Sequence, residues 1–342
     1  MDEVSIVGVD LAKHVFQVHG AAADGRVLFR KKLSRAQFAR FMGDVRPCIV
    51  AMEACGTSHY WGRVMEQLGH EVRLIPPIYV KPFIKRQKND VADAEAIAEA
   101  ALRPTMRMVP VKSSAQQARG MLFRTRELLV GQRTQMINAL RAHLAEHGIV
   151  VPKGLSNLER LAAITRTHEA ELPELMREMT DVYLHQIARI SDQIAALETR
   201  ISEEAKKSTV VRRLRGMPGV GPICAMAIEA FSPPMAGFRR GRDFAAWLGL
   251  VPRQHSSGGK QKLGRTSKMG QRDIRRLLII GAMSVVRWRS RNGSQPGSWL
   301  ARMLARKPKM LVAIALANKM ARAVWAMLTR EEDYQVPKGE VC

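Results

Sequence analysis

Cysteine is scarce in this chain and scattered. Cys48, Cys55, Cys224 and Cys342 show no CxxC spacing, which argues against a zinc site or a disulfide framework and fits a reduced compartment. The opening Met1-Asp2-Glu3 lacks the basic region and long apolar stretch of a secretory signal. Long hydrophobic runs are missing too. The strongest, Met310 to Ala317, is too short and too closely flanked by lysine to span a bilayer. No membrane role is expected, and a reduced cytoplasm is the location that fits best. The most telling deficit is acidic. The 342 residues hold 55 lysines and arginines against 31 aspartates and glutamates, a net charge of +24. Residues 1–105 carry 15 basic and 12 acidic side chains, residues 106–206 carry 14 and 12, and residues 207–342 carry 26 and only 7. A segment at +19 repels itself unless it meets a polyanion, so nucleic acid is the expected partner.

What is present is organised around Val4-Ser5-Ile6-Val7-Gly8-Val9-Asp10, a nearly all-apolar run that ends on a carboxylate. Its length and β-rich composition predict a fully buried strand. Val15 to Val18 and Arg26 to Lys32 predict two further strands, with Asp24-Gly25 as a turn. Ser34 is placed to cap a helix running to about Gly43. Pro47 to Glu53 repeats the first design, a buried strand ending on an acid. A helix from Tyr60 to Leu68 and a strand from Glu71 to Ile75 complete a βββαβαβ order, which predicts a mixed α/β sheet with helices on its faces. Asp90 and Asp93 then open an Ala-rich helix, three residues apart and hence on one face. Taken alone, two acids at a helix start stabilise the macrodipole. Taken with Asp10 and Glu53 at strand ends, they make a set of oxygen ligands of the type Mg²⁺ prefers, and paired ions of that kind drive phosphodiester chemistry.

Residues 106–206 read as long polar helices. Ser113 to His147 is one, and from Asp181 the positions Tyr183, Ile187, Ile190, Ile194, Leu197 and Ile201 keep a heptad spacing. That spacing fits either a coiled-coil seam between copies or an amphipathic helix packed within its own chain. At Leu214 to Pro222 two helical segments flank a Gly-rich turn, a helix-hairpin-helix pattern in which Gly219 and Gly221 let backbone N–H groups approach a phosphate. The stretch His255 to Gly270 reads as a flexible Ser/Gly loop among bases. It suits gripping phosphate, and composition alone assigns no catalytic role to a serine there. Candidate nucleic-acid contacts are Lys88, Arg215, Gly219, Gly221, Arg253, Lys260, Lys262, Arg265, Lys268, Arg272, Arg275 and Arg276. Basic helices follow at Asp273 to Arg287 and Lys309 to Thr329, and the tail beyond Arg330 reads as disordered.

Five motifs then stand together: Gly-Val-Asp-Leu-Ala-Lys from Gly8, Met-Glu-Ala-Cys-Gly from Met52, Lys-Asn-Asp-Val-Ala-Asp-Ala from Lys88, Pro-Gly-Val-Gly-Pro from Pro218, and Gly-Leu-Val-Pro-Arg-Gln with Ser-Ser-Gly-Gly-Lys from Gly249 onward. Through them the chain resembles transposases of the IS-one-ten insertion-sequence family, and most of all its IS-eleven-eleven group, over about residues 1–330. The resemblance implies a RuvC-like domain of the ribonuclease H fold over residues 1–105, with its four acids at Asp10, Glu53, Asp90 and Asp93 holding Mg²⁺ (or Mn²⁺). It implies a helical linker and oligomerising coiled coil over 106–206, and a basic mostly α domain over 207–330, leaving a tail at 331–342. In that third segment the family's nucleophilic serine falls on Ser257, the serine directly before Gly258. It also implies double-stranded DNA as substrate, an element-encoded non-coding guide RNA, and a homo-oligomer, dimer or tetramer. Two rivals remain at this level. One is a Holliday-junction-type nuclease in which metal-bound water attacks; the other is a basic protein that packages nucleic acid without cutting it.

Overall fold

The computed structural model describes residues 3–84, 90–152, 154, 157–167 and 172–336, except the side chains of Asp90 and Leu158. Two compact units divide between Gln117 and Ala118. In the first, strands β1 (Ile6–Asp10), β2 (Val15–Ala21) and β3 (Val27–Ser34) lead into helix α1 (Arg35–Gly43). Then come β4 (Ile49–Glu53), α2 (Ser58–Gln67), β5 (Glu71–Ile75), the short α3 (Pro77–Val80) and α4 (Asp90–Ala101). The sheet order is β3-β2-β1-β4-β5, with β1 antiparallel to β2 and parallel to β4. As expected, Ser34 caps α1: the Gln37 N–H donates to Ser34 Oγ, and the Ser34 N–H donates to Gln37 Oε1.

Strand β1 reads as continuously apolar because it is buried on both faces. Val7 and Val9 join Phe16, Val18, Phe38, Val50, Met52, Trp61 and Met65 in a core under α1 and α2. On the opposite face, Ile6 packs with Ala51, Ile75, Ile97 and the alanines of α4. Alternation along the strand puts Gly8 and Asp10 on this second face. Gly8 is where β1 and α4 approach each other backbone to backbone. A Cβ there would stand 2.2 Å from the Ala94 carbonyl oxygen and 2.9 Å from the Ala98 Cβ. The absence of a side chain is what lets α4 lie on β1. Two side chains hold the helix on the sheet: Arg30 pairs with Glu95 at 3.0 Å, and Arg73 donates to the Ala101 carbonyl at 2.9 Å.

The helix α5 (Ser114–Glu146) crosses the division, and the second unit is mostly helical. It continues with α6 (Leu158–Thr167), α7 (Glu174–Lys207), α8 (Thr209–Arg215), α9 (Pro222–Phe231) and α10 (Gly241–Trp247). After the strands β6 (Pro252–Gln254) and β7 (Leu263–Thr266) come α11 (Arg272–Asn292), α12 (Trp299–Arg306) and α13 (Lys309–Arg330). The heptad stripe on α7 is occupied within the chain: Ile187, Ile190, Ile194 and Ile201 are each at most 4% exposed. Ile187 clusters with Ile137, Leu140 and Leu144 of α5, and Ile201 lies in the main core with α8 and α9. This corrects the expected seam between copies, because a period of hydrophobic residues fixes a buried face without saying which helix covers it.

Helix α13 covers the Lys309 to Thr329 stretch expected to be helical. At 22 residues it is long and apolar enough to cross a membrane by length and composition, more than the Met310 to Ala317 run alone suggested. Its apolar side is spent on the core, with Val312, Ala313, Ala317, Met320, Ala321, Val324 and Met327 all buried. Of the tail expected to be disordered, residues 331–336 are described, and Tyr334 packs partly buried against the same core. Residues 337–342 lie outside the described residues.

Candidate active site and nucleic-acid interface

The carboxylates of the first unit are gathered by topology. Val9 pairs with Met52 across the parallel β1–β4 ladder, so Asp10 and Glu53 follow side by side at the C-terminal ends of adjacent strands. A parallel sheet opens its crevice at those ends. Asp93 sits in the first turn of α4, one residue before the Ala94 carbonyl that abuts Gly8. Its charge reaches Glu53. Partial burial, first, and then the Asp93 charge raise the Glu53 carboxyl above its ordinary range. Asp93 Oδ1 is buried without a hydrogen-bond partner among the described residues, which is costly unless a cation or donor meets it. Among the described residues no three of His, Cys, Asp and Glu stand together as a metal-holding group. The side chain of Asp90, the fourth expected acid, lies outside those residues, as does Lys88. What the described residues offer a hard divalent cation is therefore a close pair of oxygen donors, one of them unsatisfied.

In the second unit the stretch expected to be a flexible loop is a β-ribbon. Strand β6 pairs antiparallel with β7, and the His255 N–H donates to the Lys262 carbonyl at 2.8 Å. The tip closes as Ser257-Gly258-Gly259-Lys260. Both central glycines have positive φ, 56° and 74°, and the Lys260 N–H donates to the Ser257 carbonyl at 3.1 Å. That is a type I′ turn, the form whose twist matches a hairpin and whose two positive-φ positions a glycine pair fills without strain. Residues 252–265 are exposed throughout. Arg253, Lys260, Lys262 and Arg265 line the ribbon without an acid among them. The two serines differ. Ser256 Oγ accepts a hydrogen bond from the Lys262 N–H at 3.2 Å, whereas the Ser257 hydroxyl makes no hydrogen bond among the described residues.

The other expected contacts divide by environment. Lys268 and Arg272 are exposed beside the ribbon, and Arg215 is exposed at the end of α8. Arg276 is paired with Glu127 at 2.5 Å. Arg275 is turned inward: its Nη1 donates to the Leu248 carbonyl at 2.9 Å and to the Met269 carbonyl at 3.2 Å. Burial and then the neighbouring Arg272 lower its pKa. In the Gly-rich turn, Gly219 has a φ of +84° and a Cβ there would meet the Gly281 carbonyl of α11 at 2.7 Å. Its missing side chain serves packing against α11. Gly221, the N-cap of α9, faces open space. The sequence reading missed both Arg275's inward role and the ribbon; the Gly258-Gly259 pair was the available signal for the latter.

Comparison with known proteins matches the chain in two stretches, the first running past the boundary between the two units. A DEDD-type profile named for IS110 and described as "Transposase" matches residues 7–149, and one described as "Transposase IS116/IS110/IS902 family" matches residues 211–295. The chain is similar to a protein of Pseudomonas aeruginosa named "Probable family 20 transposase", with 46% identity over 97% of this chain and 99% of that one. It is 38% identical to "Transposase for insertion sequence element IS1328" of Yersinia enterocolitica, over 96% of this chain and 98% of that one. With "Transposase for insertion sequence element IS1111A" of Coxiella burnetii the identity is 36%, over 98% and 92%.

Proposed function

This chain belongs to the IS116/IS110/IS902 family of transposases and is a DNA transposase, and from that premise we propose that it moves its own insertion sequence through a covalent phosphoserine on Ser257. The observation that carries the reading is the tip of the ribbon. There Ser257 presents an exposed hydroxyl with no hydrogen-bond partner among the described residues, flanked by Lys260 and Lys262, while the hydroxyl of its neighbour Ser256 is already engaged. Glycines on the far side leave room for a phosphate to approach.

Ser257 Oγ attacks phosphorus in one DNA strand. The Oγ–P bond forms, the bond from phosphorus to the leaving sugar oxygen breaks, and the hydroxyl proton passes to that oxygen, directly or through solvent. A second sugar hydroxyl then attacks the phosphoserine: its oxygen bonds to phosphorus, the Oγ–P bond breaks and the hydroxyl proton returns to Ser257 Oγ, so the number of phosphodiester bonds is unchanged and no external energy is needed. A serine hydroxyl is a weak nucleophile until its proton is drawn off and the phosphate charge is offset. Lysines 260 and 262 supply part of that offset at the tip. In the first unit, which this reading takes as RuvC-like, Asp10, Glu53, Asp90 and Asp93 are the residues that would hold Mg²⁺ or Mn²⁺. Such an ion supplies positive charge to non-bridging phosphate oxygens. The raised Glu53 carboxyl and the unsatisfied Asp93 oxygen support that assignment.

The remaining basic surface, with Arg215, Arg253, Arg265, Lys268 and Arg272, holds duplex DNA and an element-encoded guide RNA, and the active species is a homo-oligomer in the cytoplasm. The helix-hairpin-helix reading keeps Gly221 and the start of α9 as a backbone contact to phosphate. The test is chemical. The full chain is trapped on labelled DNA carrying the element's ends, digested, and the adduct mapped by mass spectrometry. An adduct on Ser257 that Ser257→Ala removes and Ser256→Ala keeps is the expected result. Cleavage by Ser257→Ala without an adduct would favour attack by water and the nuclease reading.

A further inference from the structure

The ribbon is more than an exposed loop, because its two feet are locked to one another and to the core. Gly249, at the first foot, and Gly270, at the second, both have positive φ, 73° and 83°. A Cβ on Gly249 would lie 2.0 Å from the Met269 carbonyl oxygen, and one on Gly270 would lie 1.8 Å from the Trp247 carbonyl oxygen. The feet therefore cross backbone against backbone. Between them the Lys268 N–H donates to the Gly249 carbonyl at 3.1 Å and the Ser267 N–H to the Val251 carbonyl at 2.8 Å. Lys268 itself is held in the left-handed region at φ 54°, a conformation a non-glycine residue keeps only where its surroundings impose it. Below the feet, Leu248 and Leu250 are buried in the core.

Two side chains tie this crossing down. Asn318 of α13 donates to the Leu250 carbonyl at 3.1 Å. Arg275 of α11 reaches both feet with one nitrogen, donating to Leu248 on the first and Met269 on the second. We propose that Arg275 is a positioning residue that sets the angle of the ribbon and so aims Ser257, rather than a contact to nucleic acid. This rests on the reading of Ser257 as nucleophile. A strand rises about 3.3 Å per residue, so Ser257 stands roughly 20 Å from the root at Val251, and a tilt of about 5° there moves it by roughly 2 Å. A misplacement of about 1 Å at the reacting atom can cost about 100-fold in rate. Loss of the bridge between the feet is thus magnified at the tip.

The test compares the full-length protein with Arg275→Ala and Arg275→Lys on DNA carrying the element's ends. The expected result is an adduct-forming rate at saturating DNA that falls at least about 10-fold in Arg275→Ala, with Kd and its salt dependence within about 2-fold. Amide exchange across residues 249–270 should quicken in the same variant. Arg275→Lys, whose ammonium ends one bond short of the Nη1 position and lacks the rigid guanidinium plane that fixes it there, should fall between. It carries the test alone if the alanine variant does not fold. The proposal is overturned if Kd weakens and the salt slope falls by about one while the saturated rate is unchanged, the signature of a lost phosphate contact. An unchanged rate and unchanged exchange overturn it as well. The serine reading fails separately, if the unaltered protein cleaves without an adduct on Ser257; exchange in the variant then still decides whether Arg275 holds the feet.

Discussion

Replacing Gly8 by alanine tests whether the acids of the first unit converge, and it does so without touching any of them. The added Cβ would lie 2.2 Å from the Ala94 carbonyl oxygen, well inside contact distance. The obstructing atom is backbone, so no rotamer change relieves it. Helix α4 must withdraw by about 1 Å or the strand must bend, and overpacking of this kind costs about 1–3 kcal/mol. For a unit of this size that corresponds to a loss of roughly 5–15 °C in Tm. Asp93 precedes Ala94 and must move with it, while Asp10 and Glu53 stay on the sheet. If these acids serve one phosphate, as proposed, a shift of about 1 Å between them lowers the rate by about 100-fold.

The assay pairs a thermal melt with strand cleavage of element-end DNA in Mg²⁺, beside a binding titration. Cleavage should collapse, the Tm should drop within that range, and the secondary-structure spectrum should be kept. Affinity should hardly change, because the net positive charge is concentrated in residues 207–342. Asp93→Asn, which leaves the packing intact, should match the loss of cleavage without the loss of Tm. If Gly8→Ala melts with the unaltered protein and cleaves at its rate, α4 is not seated on β1 and Asp93 does not meet the strand-end acids.

Three other outcomes are expected. Ile190→Asp with Ile194→Asp puts two carboxylates into positions 4% and 3% exposed, which should unfold the second unit at several kcal/mol (an order-of-magnitude cost), visible as a large Tm loss; variants that keep their Tm and merely dissociate in sedimentation would put the stripe back between copies. Binding of element DNA should weaken steeply with salt, and a fragment of residues 1–105 that binds as tightly as the whole chain would contradict the placement of the interface. His59 should make the first unit acid-sensitive: burial, followed by Lys112 and Arg63, lowers its pKa from 6.5 to about 4. Between those values the unfolded chain binds the extra proton, so stability is complete above pH 6.5 and falls as pH drops toward 4, by about 1 kcal/mol once discounted for half exposure. Urea melts of the protein and His59→Gln at pH 7 and 4.5 measure this, and an equal slope in both would refute it.

The α/β half of the fold was legible because its signals are local and redundant. β1 and β4 are short apolar runs stopped by Asp10 and Glu53, and a strand buried on both faces has no other way to look. Ser34 and Gln37 write a capping box in four letters. The ribbon was not legible because it buries nothing: its strands are polar on both sides, so no alternation marks them, and only the Gly258-Gly259 pair hints at the turn. The same limit explains Arg275. Among the many bases of the last third, charge alone cannot separate the guanidinium that meets phosphate from the one that meets its own backbone. The separation is set by Gly249 and Gly270, which bring the Leu248 and Met269 carbonyls within reach of a single nitrogen. It follows that in a strongly basic segment the informative residues are the glycines. They mark where backbone must approach backbone, and a cation beside such a crossing has a partner before any nucleic acid arrives.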